Sequence, residues 1–163
     1  MGSGKTTLLN ELSKQVQTVP EVARAILAEQ RSFNGFGVPE RDPSLFCELL
    51  LSRTLQAYKT HQSRDDTVIF DRGIPDLIAY AELFGLATEH YYCCAELYRY
   101  QPKVFILEPW PEIYENDDER KMTLQQSLDF HQILLKHYQA LSYQLILVPK
   151  LSPIERAKFI LIH

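Results

Sequence analysis

The sequence predicts an α/β fold, a parallel sheet flanked by helices on both faces. Three observations carry this expectation. Short apolar runs, Thr67–Phe70, Val104–Leu107 and Gln144–Val148, read as buried strands. Stretches with helical spacing and recognisable caps lie between them. Strands that alternate with helices pair in parallel and are covered on both sides. At 163 residues, with 45% hydrophobic and 23% charged side chains, the chain is expected to be a single domain, 1–163, with an ordinary globular core.

The first element is a helix with Leu8, Leu9, Leu12 and Val16 at helical spacing. It is preceded by Gly2-Ser3-Gly4-Lys5-Thr6-Thr7. Gly4, Lys5 and Thr6 match the last three fixed positions of the phosphate-binding pattern G-x-x-x-x-G-K-[ST]. The first N–H groups of a helix have no intrahelical acceptor, and with the helix dipole they attract an anion. Glycine lets the backbone approach phosphate oxygens closely. Lys5 supplies a point charge for the outer phosphates, the Thr6 hydroxyl a Mg²⁺ ligand, and Thr7 packing or an α-phosphate contact. The pattern's first glycine would fall before Met1, so the strand that feeds such a loop is expected to be missing from this sequence. A glycine/serine expression scar is the alternative, and the direct run of Lys5-Thr6-Thr7 into an apolar helix opposes it.

Thr18-Val19-Pro20 reads as a break before a second helix over about Val22–Gln30. Glu21 and Arg24, three residues apart, share one face of a turn. They are candidates for an acceptor-hydroxyl partner and a substrate clamp, or are simply a surface ion pair. Asn34–Pro39 is a loop by composition, and Asp42-Pro43 is an N-cap followed by proline at the first helical position. The helix it starts runs to about Arg64.

The strand at Val68–Phe70 ends in Asp71-Arg72-Gly73. Ligands of parallel α/β folds sit at carboxyl ends of strands. Asp71 can hold Mg²⁺ or its water there, and Arg72 can clamp a phosphate or acidic group. A turn cap and a surface ion pair are the bland alternatives. A helix over Pro75–Phe84 closes at Gly85, and Thr88 caps another that reaches about Tyr100. After Val104–Leu107 comes Glu108-Pro109-Trp110-Pro111 and the charged stretch Glu115–Lys121. Such a run is usually a solvated loop; in a phosphotransferase it can be a lid, here about 112–126, that brings Arg120 or Lys121 over the transferring phosphoryl group. Thr123-x-x-Gln126 and Ser152-Pro153-Ile154-Glu155 are capping boxes for the last two helices.

The bulk properties exclude some classes. A net charge of −4 argues against a broad nucleic-acid surface. No apolar run reaches the length of a membrane span, and Met1 is not followed by a signal peptide. Cys47, Cys93 and Cys94 form neither a disulfide framework nor a zinc pattern, so free thiols in a reducing cytoplasm are expected.

Taken together, GSGKTTLL (2–9), TVPEVARAIL (18–27), VIFDRGIPDLIAYA (68–81), EPWPEIYENDDER (108–120) and LSPIERAKFIL (151–161) resemble the P-loop kinase-like family of small bacterial AAA-type ATPases, grouped with nicotinamide riboside kinase domains. The resemblance implies a P-loop kinase fold with strand order 2-3-1-4-5. It implies ATP and Mg²⁺ at Gly4, Lys5 and Thr6, a second carboxylate at Asp71, and substrate contacts near Glu21, Arg24 and Arg72. The charged run becomes the lid, and the loop around Ser152 and Pro153 faces the adenine. Three functions follow. One is an ATP-dependent kinase of a nucleoside-like or other hydroxyl acceptor, with Lys5, Asp71, Arg120 and Glu21 catalytic. Another is an NTPase switch acting on a protein partner of unknown identity. The third is a truncated, non-catalytic remnant.

Overall fold

The computed structural model describes residues 3–110 and 123–163. Met1, Gly2 and residues 111–122 lie outside it; with them go Gly2 of the expected loop, Arg120 and Lys121, and the expected lid up to residue 122. The described residues form seven helices and four short strands. They fall into two compact units: one joins the chain up to Thr18 to the stretch from Gln101 onward, and the other is Val19–Tyr100.

In the first unit, α1 (Lys5–Leu12) packs on α7 (Pro153–Ile162). Leu8 and Leu12 on α1, and Ala157 and Ile160 on α7, are buried, as the apolar spacing of both helices requires. The strands β3 (Lys103–Ile106) and β4 (Gln144–Leu147) pair in parallel, with Val104 opposite Leu145 and Phe105 opposite Ile146. Backbone bonds from Gln144 to the Pro102 carbonyl (2.8 Å) and from Val148 to the Ile106 carbonyl (2.9 Å) extend the ladder at both ends. Between them runs α6 (Leu124–Ala140), which contacts β4. Its start is the expected capping box: Thr123 Oγ1 accepts from the Gln126 N–H, and the Gln126 side chain accepts from the Thr123 N–H.

The second unit is mainly helical. Asp42 caps α3 (Pro43–His61), its Oδ1 accepting from the Leu45 N–H at 2.9 Å, with proline at the first position as expected. α3 packs on α2 (Val22–Ser32) and on α4 (Ile74–Leu83), and α4 packs on α5 (Glu89–Leu97). Every residue of α4 from Ile74 to Ala81 is buried, so this helix is the centre of the unit. Ile26, Leu27, Phe46, Leu50, Leu77 and Ile78 make up much of the core around it. The Phe46 ring meets Tyr80 edge-on at 6.1 Å.

The sequence reading treats Thr18–Pro20 as a break, whereas Gln17–Val19 forms a strand, β1, paired with β2 (Val68–Phe70). Gln17-Thr18-Val19 holds two polar residues and so offers no apolar run like that of Val68–Phe70, which is why the strand is not legible locally. The four strands form two separate two-stranded sheets, β1 with β2 and β3 with β4. These are the partners that the order 2-3-1-4-5 gives to its second and third and to its fourth and fifth strands. No helix among the described residues is long and apolar enough to cross a membrane.

Candidate functional site

The first cluster of expected site residues lies at the head of α1. Gly4 is its N-cap, in the left-handed region at φ 68° and ψ 22°, where a Cβ would be strained. No side chain caps the helix, and its first turn has no acidic residue. Thr6 and Thr7 stand in the first turn, where helix N–H groups have no intrahelical acceptor. Ser3 is buried, Lys5 half-buried, and Thr6 and Thr7 are exposed. This is the local geometry of an anion site with a lysine and a hydroxyl beside it.

The Ser3 carbonyl is not free. It accepts a 2.8 Å bond from Arg156 Nη1, a residue of α7 that the sequence reading does not single out. Ser152 caps α7 as its capping box leads one to expect: its Oγ accepts from the Glu155 N–H, and its hydroxyl and N–H donate to Glu155 Oε2 at 2.6 and 3.1 Å. Those two bonds hold the Glu155 carboxyl below the usual carboxylate range.

The second cluster lies in the other unit, at the carboxyl end of β2. The Asp71 N–H donates to the Val19 carbonyl at 2.8 Å, which fixes the turn after the strand. Arg72 then adopts a left-handed conformation, φ 74°, which is unfavourable for a side chain with a Cβ. Three groups hold it there. Its Nε donates to Glu21 Oε1 at 2.6 Å, and its Nη1 donates to Asp76 Oδ1 at 2.8 Å. The other oxygen of Asp76 accepts the Gly73 N–H at 2.8 Å, tying the start of α4 to the same carboxylate. The guanidinium also lies 5.9 Å from the Tyr80 ring centroid. Burial opposes the charge on Arg72, but Tyr80, Glu21 and Asp76 outweigh it and hold the group's pKa well above its ordinary value.

Glu21 and Arg24 do meet, but loosely. Arg24 Nε stands 3.7 Å from Glu21 Oε2, with the arginine side chain 44% exposed and the glutamate 3%. The main partner of Glu21 is Arg72, so the pair read from i,i+3 spacing is the minor one. Asp76 belongs to this cluster and goes unnoticed in the sequence. The signal that could have found it is an acid four residues after an arginine that closes a strand. A cavity of about 20 Å³ opens between Glu21, Asp71, Arg72, Asp76, Leu50 and Tyr80. It is large enough for a water and far too small for an organic acceptor.

The described residues contain no group of three or more His, Cys, Asp or Glu side chains able to hold a metal. Mg²⁺ does not need one, because it binds through one or two carboxylates together with phosphate oxygens and water. The Thr6 hydroxyl at the head of α1 is a donor of the kind that mode of binding uses, and so, in the other unit, is the Asp71 carboxylate.

The comparisons with known proteins agree with the loop. No curated protein and no solved structure matches the chain. The family model of an AAA domain matches residues 1–156, nearly the whole length. A nucleotide-binding P-loop protein is what that match and the loop geometry jointly describe, and the chain belongs to the AAA domain family.

Proposed function

We propose that this protein is a Mg²⁺-dependent ATP phosphotransferase acting on a small hydroxyl-bearing acceptor, nucleoside-like in the sense of nicotinamide riboside kinase domains. The observation that carries the reading is Gly4 in the left-handed region, with Lys5 and Thr6 opening α1 and no acidic residue in its first turn. The cluster at Glu21, Asp71 and Arg72 adds groups suited to a second substrate.

In this reading the loop of Gly2, Ser3 and Gly4, with the first-turn N–H groups through Thr7, cradles the phosphates, and Lys5 neutralises the outer ones. Mg²⁺, held by Thr6 and Asp71, would draw charge from the phosphate oxygens. Glu21 orients the acceptor hydroxyl and takes its proton. The acceptor oxygen bonds to the γ-phosphorus, the bond from phosphorus to the β–γ bridging oxygen breaks, and ADP leaves. Arg24 and Arg72 hold the acceptor, and Arg120 stabilises the charge on the transferring group. Ser152 and Pro153 border the adenine. Three free cysteines fit a reducing cytoplasm.

Titration calorimetry with Mg·ATP, followed by phosphoryl-transfer assays on nucleosides and vitamins, tests this. Binding that Lys5→Ala abolishes, with turnover of at least one acceptor, is the expected outcome. No transfer to any acceptor by a protein that does bind Mg·ATP would sink the kinase reading. One observation favours a second function, an NTPase switch on a protein partner: the cavity beside Arg72 has room for a water and no more. Steady ATP hydrolysis without an acceptor, and a protein interaction lost in Lys5→Ala, would favour that alternative.

A further inference from the structure

Arg156 is a buried cation that packing alone does not explain. It is 3% exposed and sits beside the buried Ala157 and one turn before the buried Ile160 on α7. Its Nη1 donates to the Ser3 carbonyl at 2.8 Å, while its Nε is buried with no hydrogen-bond partner among the described residues. Burial alone pulls its pKa below the ordinary value, with no carboxylate offsetting the charge. A leucine or methionine would fill this place at lower cost, because an uncompensated buried charge is expensive. The group it does hold is the backbone immediately before the α1 N-cap.

We propose that Arg156 is a positioning residue that sets the direction in which the phosphate loop presents its Gly4 N–H. The peptide between Ser3 and Gly4 is planar and trans, as are all the others described. In a trans peptide the C=O and N–H point in opposite directions. With the Ser3 carbonyl drawn onto Arg156, the Gly4 N–H is aimed away from α7. Glycine makes such a peptide easy to flip, since Gly4 already occupies φ 68° and many other conformations are open to it. A loop that must offer its N–H groups on one side therefore needs its carbonyl held on the other. Arg156 holds it from the far end of the sequence, 153 residues away.

The inference rests on the nucleotide reading of the loop, and the experiment separates the two. Mg·ATP affinity and melting temperature are measured for the full chain and for Arg156→Met, Arg156→Lys and Ile160→Ala. Arg156→Met keeps the packing and loses both donors and charge. It is expected to weaken Mg·ATP binding about ten- to hundredfold, the range for a lost charge-assisted hydrogen bond, with a melting temperature equal to or above wild type. Arg156→Lys, which can still reach a carbonyl, restores part of the affinity. Ile160→Ala lowers the melting temperature and leaves the affinity within about twofold, because it removes only buried apolar contact. Unchanged affinity in Arg156→Met, or an affinity loss that Ile160→Ala reproduces, would overturn the proposal. Wild-type protein that binds no Mg·ATP would overturn the nucleotide reading instead. The Gly4 amide resonance in nucleotide-free protein then decides alone: a shift in Arg156→Met that Arg156→Lys reverses supports the clamp, and an unmoved resonance refutes it.

Discussion

Replacing Asp76 by alanine is expected to cost more than any other single change in the Val19–Tyr100 unit. The carboxylate is 6% exposed on its side chain and serves two donors, Arg72 Nη1 at 2.8 Å and the Gly73 N–H at 2.8 Å. Removing one partner of a buried ion pair costs about 3–5 kcal/mol. The lower end applies here, because Glu21 still engages the guanidinium at 2.6 Å. Leaving the Gly73 N–H without an acceptor adds about 1–3 kcal/mol. The sum is roughly 4–6 kcal/mol, a large share of the ~5–15 kcal/mol that holds an ordinary domain together. Asp76→Asn keeps one acceptor oxygen and should cost roughly half as much. Urea unfolding followed by circular dichroism gives both values from the shift in midpoint. Coupling the change to Arg72→Met should recover part of the loss, since no cation is then stranded. An alanine variant within about 1 kcal/mol of wild type, or a double variant as unstable as the two single losses added together, would refute the reasoning.

Glu21→Gln keeps the shape at the Arg72 contact and removes the charge that accepts a proton; transferase activity should fall by at least about a hundredfold, while Mg·ATP affinity stays within about threefold. Burial, then the neighbouring Glu48, pushes the Cys47 thiol up to about 12. At neutral pH a thiol reagent should therefore modify exposed Cys93 first and half-buried Cys94 more slowly, and should reach Cys47 only in denaturant. The same shift makes the folded protein hold a proton that the unfolded chain releases above pH 9, so stability should decline from about pH 9 towards 12, and Cys47→Ala should flatten that decline. Asp42→Ala removes the cap on the Leu45 N–H and should cost about 1 kcal/mol in the same urea assay.

Features that depend on neighbours in sequence were legible. The caps at Asp42, Thr123 and Ser152 were all readable, because an N-cap bond spans three residues and leaves its signature in order. The strands at 68–70, 103–106 and 144–147 were readable from apolar runs to within a residue or so. What was hidden depends on distance along the chain or on backbone conformation. Glu21 was visible as an acid, but spacing pointed to Arg24, and its closer partner is Arg72, 51 residues on. Asp76 meets Arg72 only because Arg72 turns left-handed, which no propensity for arginine suggests. Arg156 carries no local signal in the sequence, and only folding shows what it holds.

The route of the chain gives the phosphate loop a place in time as well as in space. Every helix that packs on α4 lies within one continuous stretch, so the Val19–Tyr100 unit can gather its contacts while the chain is still being made. The head of α1 has no such neighbour. Its supports on α7 come much later in the chain, and at ribosomal speed the 153 positions from Ser3 to Arg156 take roughly 8–30 s to appear. For that interval the nascent chain carries the loop's residues without the helix that positions them. On this reading a ribosome-bound chain that stops short of α7 should ignore Mg·ATP even with its whole glycine-lysine-threonine segment exposed. The ability to hold nucleotide then arrives only once α7 has been made, so that a polypeptide cut short before it would not sequester the ligand.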